Sequence, residues 1–446
     1  MTSRYEAGFS HSPSMRILLP VLLLLPVQAS ACTAFTTTHN GRTYIGCNED
    51  SWSINANVRF EQGFVTPGFP ERSLSGVEGS RRARSATYGT IYFANYNGHP
   101  TRAMADQLGM NEAGLVFDIL VVDHGPVKRR MSKPAVETAD AIHHIMRTCA
   151  TIQEVEAYLR TVNTGASVGQ LFFCDAQGGY LVLEPDTLII GNDPWFALGN
   201  WRMSRCSDPG TIPIARLQAG RQVLMNGGGT SWEGAENVLS TMTACRKQMG
   251  EGTLYSVLFD PAEKKAQLYF YHDFSERVTF DLKEELTKGD RTVDMASLFG
   301  PRPEYDRLKS HLTPFHQRWL FWALLAMAAV AVIVGAVNLV QLIGRSVAKV
   351  RGRSARSLIT PILSGLANAT VIGLIGVLLM QEGVYYFGLG SVLSALAWVP
   401  LLFITLSGLH LWRTKRTNEA AWLRIAAIMI ISPMTAALAC WGMLLP

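Results

Sequence analysis

Four apolar segments in the last third of the chain constrain its fold more than any other sequence feature. They cover residues 319–343, 358–380, 387–412 and 425–445 of the 446-residue chain and are almost free of charge. A helix of about 20 apolar residues is long enough to cross the roughly 30 Å core of a bilayer. Because a bilayer core offers backbone groups no water, each segment is expected to be a helix. The sequence therefore predicts an all-α, transmembrane four-helix domain over residues 319–446.

The charges between these segments predict the orientation of the chain. Two connections are basic, and the middle connection has Glu382 as its one charged residue. The basic residues are Arg345, Lys349, Arg351, Arg353 and Arg356 in the first connection, and Arg413, Lys415, Arg416 and Arg424 in the third. Basic loops stay in the cytoplasm, so the residues before 319 are expected on the periplasmic or extracellular side of the inner or plasma membrane. These loops account for most of the net charge of +5, and no nucleic-acid partner is indicated.

An export signal at the other end of the chain agrees with that orientation. Arg16 precedes an apolar stretch over residues 17–27, and Ala29-Ser30-Ala31 supplies the small residues that a signal peptidase reads. Residues 1–31 are therefore predicted to be a signal peptide, with Met15 as an alternative start. The mature chain then has an exported domain over residues 32–300 and a polar, proline-containing linker over residues 301–318.

Cleavage after Ala31 would make Cys32 a nucleophile that carries its own base. An α-amine has an ordinary pKa of about 7.7–8.0, so near neutral pH it can accept the proton of a thiol whose pKa is about 8.5. A second interpretation stays open, because a cysteine after small residues can also be a lipoprotein anchor. Lipid on its sulfur and an acyl group on its amine would abolish this chemistry.

A β-hairpin is predicted directly after Cys32. Residues 33–38 are rich in β-formers, Asn40-Gly41 is a strong two-residue turn signal, and residues 42–46 form the returning strand. The hairpin folds the residues after the turn back alongside its start, so Asp50 is expected near the Cys32 amine. A carboxylate there would hold the ammonium by a charge-assisted hydrogen bond.

This region resembles the N-terminal-nucleophile (Ntn) amide hydrolases, in particular the group of choloylglycine hydrolase, penicillin V acylase and acid ceramidase. The resemblance rests on Cys32-Thr33, on Asn40-Gly41 and on the pattern Tyr-Ile-Gly-x-Asn-x-Asp over residues 44–50. Further similar segments are residues 109–115, 170–185, 195–200, 214–217 and 255–260, so that the resemblance covers roughly residues 32–280. It implies an α+β fold, the Ntn-hydrolase αββα sandwich of two antiparallel sheets between helical layers.

The resemblance also implies a set of site residues. Cys32 would attack an amide carbonyl, and Asp50 would position its α-amine. Asn200 would donate its side-chain N–H to the tetrahedral oxyanion, with Asn192 as a rival. Arg216 would tie the site together electrostatically, with Arg221 as its rival. No cofactor is expected, and no HExxH, CxxC or spaced His/Cys pattern indicates a metal.

One departure from the family pattern leaves the substrate unassigned. Cys47 stands where the family commonly has an arginine, and a thiol supplies neither the charge nor the donors of a guanidinium. The residues after the 109–115 segment are also aliphatic, at Val121-Val122, where a polar residue often follows.

The expected reaction is hydrolysis of a linear amide in an N-acylated small molecule, through a thioester on Cys32. Membrane tethering favours a lipid-like N-acyl amide as substrate. Two alternatives remain, a lipid-anchored or inactive membrane receptor for such a ligand, and an acyltransferase that uses the same site. The membrane domain would serve as an anchor, as a lipid-facing platform or as an element that forms a homo-oligomer.

Overall fold

The computed structural model describes eleven segments of the chain. They are residues 32–51, 54–64, 87–96, 104–122, 133–164, 169–184, 187–246, 251–310, 317–352, 358–380 and 399–413. The predicted signal peptide, the first part of the third predicted span and the whole fourth span lie outside them.

Sheet I is antiparallel and contains the strand that begins after Cys32. Its strand order is β12-β1-β2-β14-β15-β16, and a short strand β13 pairs with β14. The strands are β1 (Thr33–His39), β2 (Arg42–Ser51), β12 (Trp195–Gly199), β13 (Cys245–Arg246), β14 (Glu251–Asp260), β15 (Lys265–Phe270) and β16 (Asp273–Asp281).

Sheet II is also antiparallel and has the order β11-β10-β9-β6-β5-β4-β3-β17. Its strands are β3 (Ala56–Glu61), β4 (Thr90–Tyr96), β5 (Met104–Asn111), β6 (Val116–Val121), β9 (Gly169–Cys174), β10 (Tyr180–Glu184), β11 (Thr187–Gly191) and β17 (Arg291–Asp294). Two short strands, β7 (Ala135–Val136) and β8 (Asn163–Thr164), form a separate parallel pair.

Helices cover the outer face of each sheet. On sheet II, helices α1 (Thr138–Thr148) and α2 (Ile152–Leu159) pack through Ile145 and Val155 against Phe117 and Phe173. On sheet I, helices α3 (Ala215–Met225) and α4 (Trp232–Thr241) do the same, and Leu217 and Val238 join a buried cluster with Phe35 and Tyr269. A third buried cluster lies between the two sheets and includes Phe93, Phe172, Val257 and Phe259. The fold is therefore a layered α+β arrangement with two antiparallel sheets in the middle, as the sequence predicted.

The predicted hairpin is confirmed, and its returning strand is longer than expected. Asn40 and Gly41 have φ angles of 50° and 76°, which suits a two-residue turn of the type that Asn-Gly favours. The strand β2 continues to Ser51, and its register pairs Thr33 with Asn48. Side chains alternate along a strand, so residues 47 and 49 face sheet II while residues 48 and 50 face the helices.

The predicted linker contains a helix that packs into the buried cluster between the sheets. Helix α5 (Leu282–Thr287) is followed by α6 (Pro303–Ser310), in which Tyr305 and Leu308 are buried in the cluster between the sheets. The Tyr305 hydroxyl donates a hydrogen bond to the carbonyl of Ile54.

Three apolar helices follow. They are α7 (Arg318–Val350), α8 (Ile359–Met380) and α9 (Val399–Arg413), with α7 packed on α8 and α8 on α9. By length and composition, α7 and the segment Ile359–Gly376 of α8 could each cross a bilayer. Large apolar side chains such as Trp322, Ile333 and Val340 are exposed on α7.

Candidate active site

Cys32 lies directly before β1, and its side chain points between the two sheets. It is 3% exposed and belongs to the central buried cluster. The register that pairs Thr33 with Asn48 places Glu49 opposite Cys32 on β2. The thiol donates a hydrogen bond to Oε2 of Glu49 over 3.1 Å.

Glu49 is a site residue that sequence reasoning missed. It is 5% exposed, and its Oε1 accepts a hydrogen bond of 2.7 Å from Nδ2 of Asn95 on β4. A carboxyl group on the buried face of a strand is unusual, because burial penalises its charge. The signal was present in the sequence, since the period-two pattern of β2 places residue 49 on the same face as Cys47.

A second buried carboxyl group, Asp118, reaches the same space from sheet II. It lies on β6 and is 1% exposed, and neither of its oxygens has a hydrogen-bond partner of good geometry among the described residues. Its closest polar neighbours include the thiol of Cys47. We call Cys32, Cys47, Glu49 and Asp118 the buried acid cluster.

Burial raises the pKa of each member of this cluster. It raises the pKa of Glu49 to about 8, although the hydrogen bonds from Cys32 and Asn95 oppose the shift. Burial and the charge of Glu49 raise the pKa of Asp118 well above its ordinary value. The pKa of the Cys32 thiol is also raised, first by burial and then by the nearby carboxyl groups. The resting thiol is therefore neutral, and nucleophilic attack requires a group that takes its proton.

Asp50 and Arg216 lie together on the other face of β2. Oδ2 of Asp50 is 2.5 Å from the Arg216 guanidinium, and Oδ1 accepts a hydrogen bond of 2.6 Å from Thr253. Arg216 stands in the first turn of α3, and both side chains of the ion pair are largely buried. Arg221 is held elsewhere, with its guanidinium 5.2 Å from the centre of the Trp195 ring. The geometry therefore selects Arg216 over Arg221 as the partner of Asp50.

Asn200 lies on the other flank of Cys32. The register of β12 pairs Gly199 with Thr33, so Asn200 follows at the level of Cys32. Its Nδ2 donates to the carbonyl of Val121 over 2.6 Å, while its Oδ1 is buried without a partner among the described residues. Asn192 is exposed in the turn before β12, at the far end of that strand from Cys32.

A hydrogen-bond network under β1 fixes the strand start. Nδ2 of Asn48 donates to the Thr33 hydroxyl and to the Leu239 carbonyl, over 3.1 and 3.0 Å. Oδ1 of Asn48 accepts from the Ser256 hydroxyl over 2.5 Å, and Thr33 donates to the carbonyl of Met242 over 3.1 Å. The backbone beside Cys32 is thus tied to α4 and to β14.

Within the segments that the structure describes, no group of three or more His, Cys, Asp or Glu side chains is arranged to hold a metal ion. The thiols of Cys32, Cys47 and Cys206 are free.

Comparisons with known proteins were made at three levels. No protein-family model matches the chain, and no curated protein matches it. Among solved structures, the chain is similar to two variants of conjugated bile acid hydrolase from Clostridium perfringens. Both have a TM-score of 0.43 and 13% identity, and the alignments cover 59% and 61% of this chain and 96% and 97% of the others. Penicillin V acylase from Agrobacterium tumefaciens has a TM-score of 0.41 and 15% identity, over 59% of this chain and 86% of that protein.

Proposed function

We propose that this protein is a membrane-tethered amidohydrolase that cleaves a linear amide bond in an N-acylated small molecule. The observation that carries the proposal is the placement of Cys32 between its two flanking strands. One flank, β2, carries Asp50 with its Arg216 partner, and the other, β12, leads into Asn200. A nucleophile, a charge pair and an amide donor thus meet at the start of β1.

The proposed reaction passes through a thioester on Cys32. Removal of residues 1–31 frees the α-amine, which Asp50 orients. The thiol gives its proton to this α-amine, and the sulfur attacks the amide carbonyl. Asn200 gives up its hydrogen bond to the Val121 carbonyl and donates to the oxyanion instead, and the loss of such a donor lowers the rate about 10²–10³-fold in comparable sites. The α-amine then passes the proton to the departing amine, and water hydrolyses the thioester.

The groups beside Cys32 favour an acyl part that carries no anionic group. Among the described residues, the ionisable side chains that face the Cys32 thiol are acids, a thiol and a tyrosine, because the Arg216 guanidinium pairs with Asp50 on the opposite face of β2. Cys47 stands where the family that the sequence resembles commonly has an arginine. Val121 and Trp201, which flank Asn200, are partly exposed apolar side chains. A lipid-like acyl chain would approach Cys32 past these two residues.

We also propose that the four apolar segments form a multi-pass membrane domain that holds the catalytic part outside the cytoplasm. The length and apolar surface of α7 support this proposal, as do the basic connections and the predicted export signal. Such a domain would place the site close to substrates that partition into the bilayer, and it offers a surface for a homo-oligomer.

Intact-mass and N-terminal analysis of the membrane-extracted protein would test the proposal, before and after treatment with an N-acyl chloroacetamide. We expect a chain that begins at unmodified Cys32 and gains one adduct there. Cys206→Ser is the matched control, because it removes a more accessible thiol and should leave the adduct in place. A chain that keeps residues before Cys32, or that carries lipid on it, would contradict the mechanism and leave a membrane receptor.

A further inference from the structure

We infer that Glu49 is a catalytic proton acceptor for the Cys32 thiol, so that the two form a Cys–Glu pair inside the sandwich. This inference rests on the proposed function and names Glu49, in place of the α-amine of Cys32, as the acceptor of the thiol proton.

The contact geometry is that of a proton-transfer pair. The thiol sulfur and Oε2 of Glu49 are 3.1 Å apart, within the reach required of a general base. The other oxygen, Oε1, is held by Asn95 over 2.7 Å, which fixes the carboxyl group in front of the sulfur. The structure thus shows all three parts of an activated nucleophile: the nucleophile, its base and the group that orients the base.

The surroundings tune Glu49 for this role. The titratable groups on its side of β2 are Cys32 and Cys47, Asp118 on β6 and Tyr255 on β14, while the charge of Asp50 acts on the Glu49 pKa from the opposite face. Arg216 already pairs with Asp50 on the opposite face of β2, so Glu49 is left without a cation among the described residues. Its pKa of about 8 lets a carboxylate form near neutral pH, while Asp118 stays protonated because its own pKa lies well above the ordinary value.

The proposed step conserves atoms and charge. The Glu49 carboxylate takes the proton from Sγ as the sulfur forms its bond to the carbonyl carbon. When the carbon–nitrogen bond breaks, the departing nitrogen takes that proton from Glu49. In the second half, Glu49 accepts a proton from the attacking water and returns it to Sγ when the thioester opens.

Two readouts on the full-length, detergent-extracted protein separate this role from a structural one. The first is hydrolysis of an N-decanoyl aminocoumarin amide, and the second is alkylation of Cys32 by iodoacetamide, located by mass spectrometry. Both are measured as a function of pH for the wild type and for Glu49→Gln. Asp118→Asn is the matched control, because it is an isosteric change in the same buried acid cluster.

Glu49→Gln should lower the rate of amide hydrolysis about a hundredfold or more, the usual contribution of general-base catalysis. It should accelerate alkylation at alkaline pH, because the charge of Glu49 is one cause of the raised thiol pKa. Asp118→Asn should leave the acid limb of the hydrolysis profile in place. Asn95→Leu, which removes a hydrogen bond that lowers the pKa of Glu49, should move that limb to higher pH.

The outcomes distinguish the inference from the proposed function. Hydrolysis by Glu49→Gln at the wild-type rate and pH dependence would overturn the inference and leave the α-amine as base. An equal loss of hydrolysis and alkylation would reduce Glu49 to a structural residue. If the wild type does not hydrolyse the probe, the proposed function fails for this amide class. The alkylation profiles then still decide the inference, since identical curves for wild type and Glu49→Gln would contradict it.

Discussion

At the scale of single residues, the site contains groups that burial makes costly to the fold. Glu49 is fully surrounded by protein, and its pKa of about 8 lies above the ordinary value of about 4.3. At a pH between these two values, Glu49 is therefore protonated in the folded protein and ionised in the unfolded chain. The stability that this proton binding contributes is present below about pH 4.3 and is lost as the pH rises through about 8.

Glu49→Gln should therefore stabilise the protein at alkaline pH. We expect a higher melting temperature than that of the wild type near pH 8 and an equal one near pH 4. Near pH 8 the free energies of unfolding should differ on the order of a few kcal/mol. Scanning calorimetry across this range tests the sign. Glu263→Gln changes an exposed carboxyl group and is the control. A Glu49→Gln protein that is less stable at every pH would contradict the assigned pKa shift.

The two candidate arginines should differ in their effect on stability. Arg216→Leu leaves the buried Asp50 carboxylate without its cation, which costs about 3–5 kcal/mol in comparable pairs. Arg221→Leu removes a contact with an aromatic ring that is worth about 0.5–1 kcal/mol. Thermal unfolding of both variants compares them directly. Similar losses of stability in the two variants would show that the ion pair of Asp50 with Arg216 contributes no more than the contact of Arg221 with the Trp195 ring.

At the scale of secondary structure, strand β2 connects two chemically distinct environments. One face contributes Cys47 and Glu49 to the buried acid cluster, and the other contributes Asn48 and Asp50 to hydrogen bonds with α4, β14 and Arg216. A one-residue slip of β2 against β1 would exchange these faces. The hairpin turn at Asn40 and Gly41 fixes the register and therefore the identity of the residue opposite Cys32.

Asn48→Leu tests whether this strand pairing positions the nucleophile. The change leaves the buried Ser256 hydroxyl without its acceptor, which costs about 1–3 kcal/mol. It also removes the hydrogen bond from Asn48 to Thr33, so the rate of Cys32 acylation should fall together with stability. Ser256→Ala removes a partner of Asn48 but not its bond to Thr33, and it should keep most of the acylation rate. Loss of stability without any change in acylation would limit Asn48 to a structural role.

At the scale of the whole molecule, the sandwich brings together parts that are distant along the chain. Cys32 and Glu49 come from sheet I, whereas Asn95 and Asp118 come from sheet II. Helix α6 packs its Tyr305 into the same interior immediately before the apolar helices begin. Packing between the sheets therefore creates the environment of Cys32.

Reporter fusions would test the proposed membrane topology. A fluorescent protein that matures only in the cytoplasm should be bright when fused after Arg353, in the first basic connection, and dark when fused after Ser310. A phosphatase that is active only outside the cytoplasm should give the opposite result at both positions. Fluorescence at both positions would contradict export of the domain before α7.

The sequence by itself determined the local elements. The Asn-Gly turn and the period-two strands follow from short-range backbone preferences, and both are present in the structure. The long apolar segments predicted helices for a different reason, because a bilayer core offers backbone groups no water. Only the tertiary structure decided that Arg216 and not Arg221 reaches Asp50, because the two are five positions apart and point about 140° from each other around α3. It also decided the surroundings of Glu49, because the burial and pKa of a carboxyl group depend on which chain segments close over it.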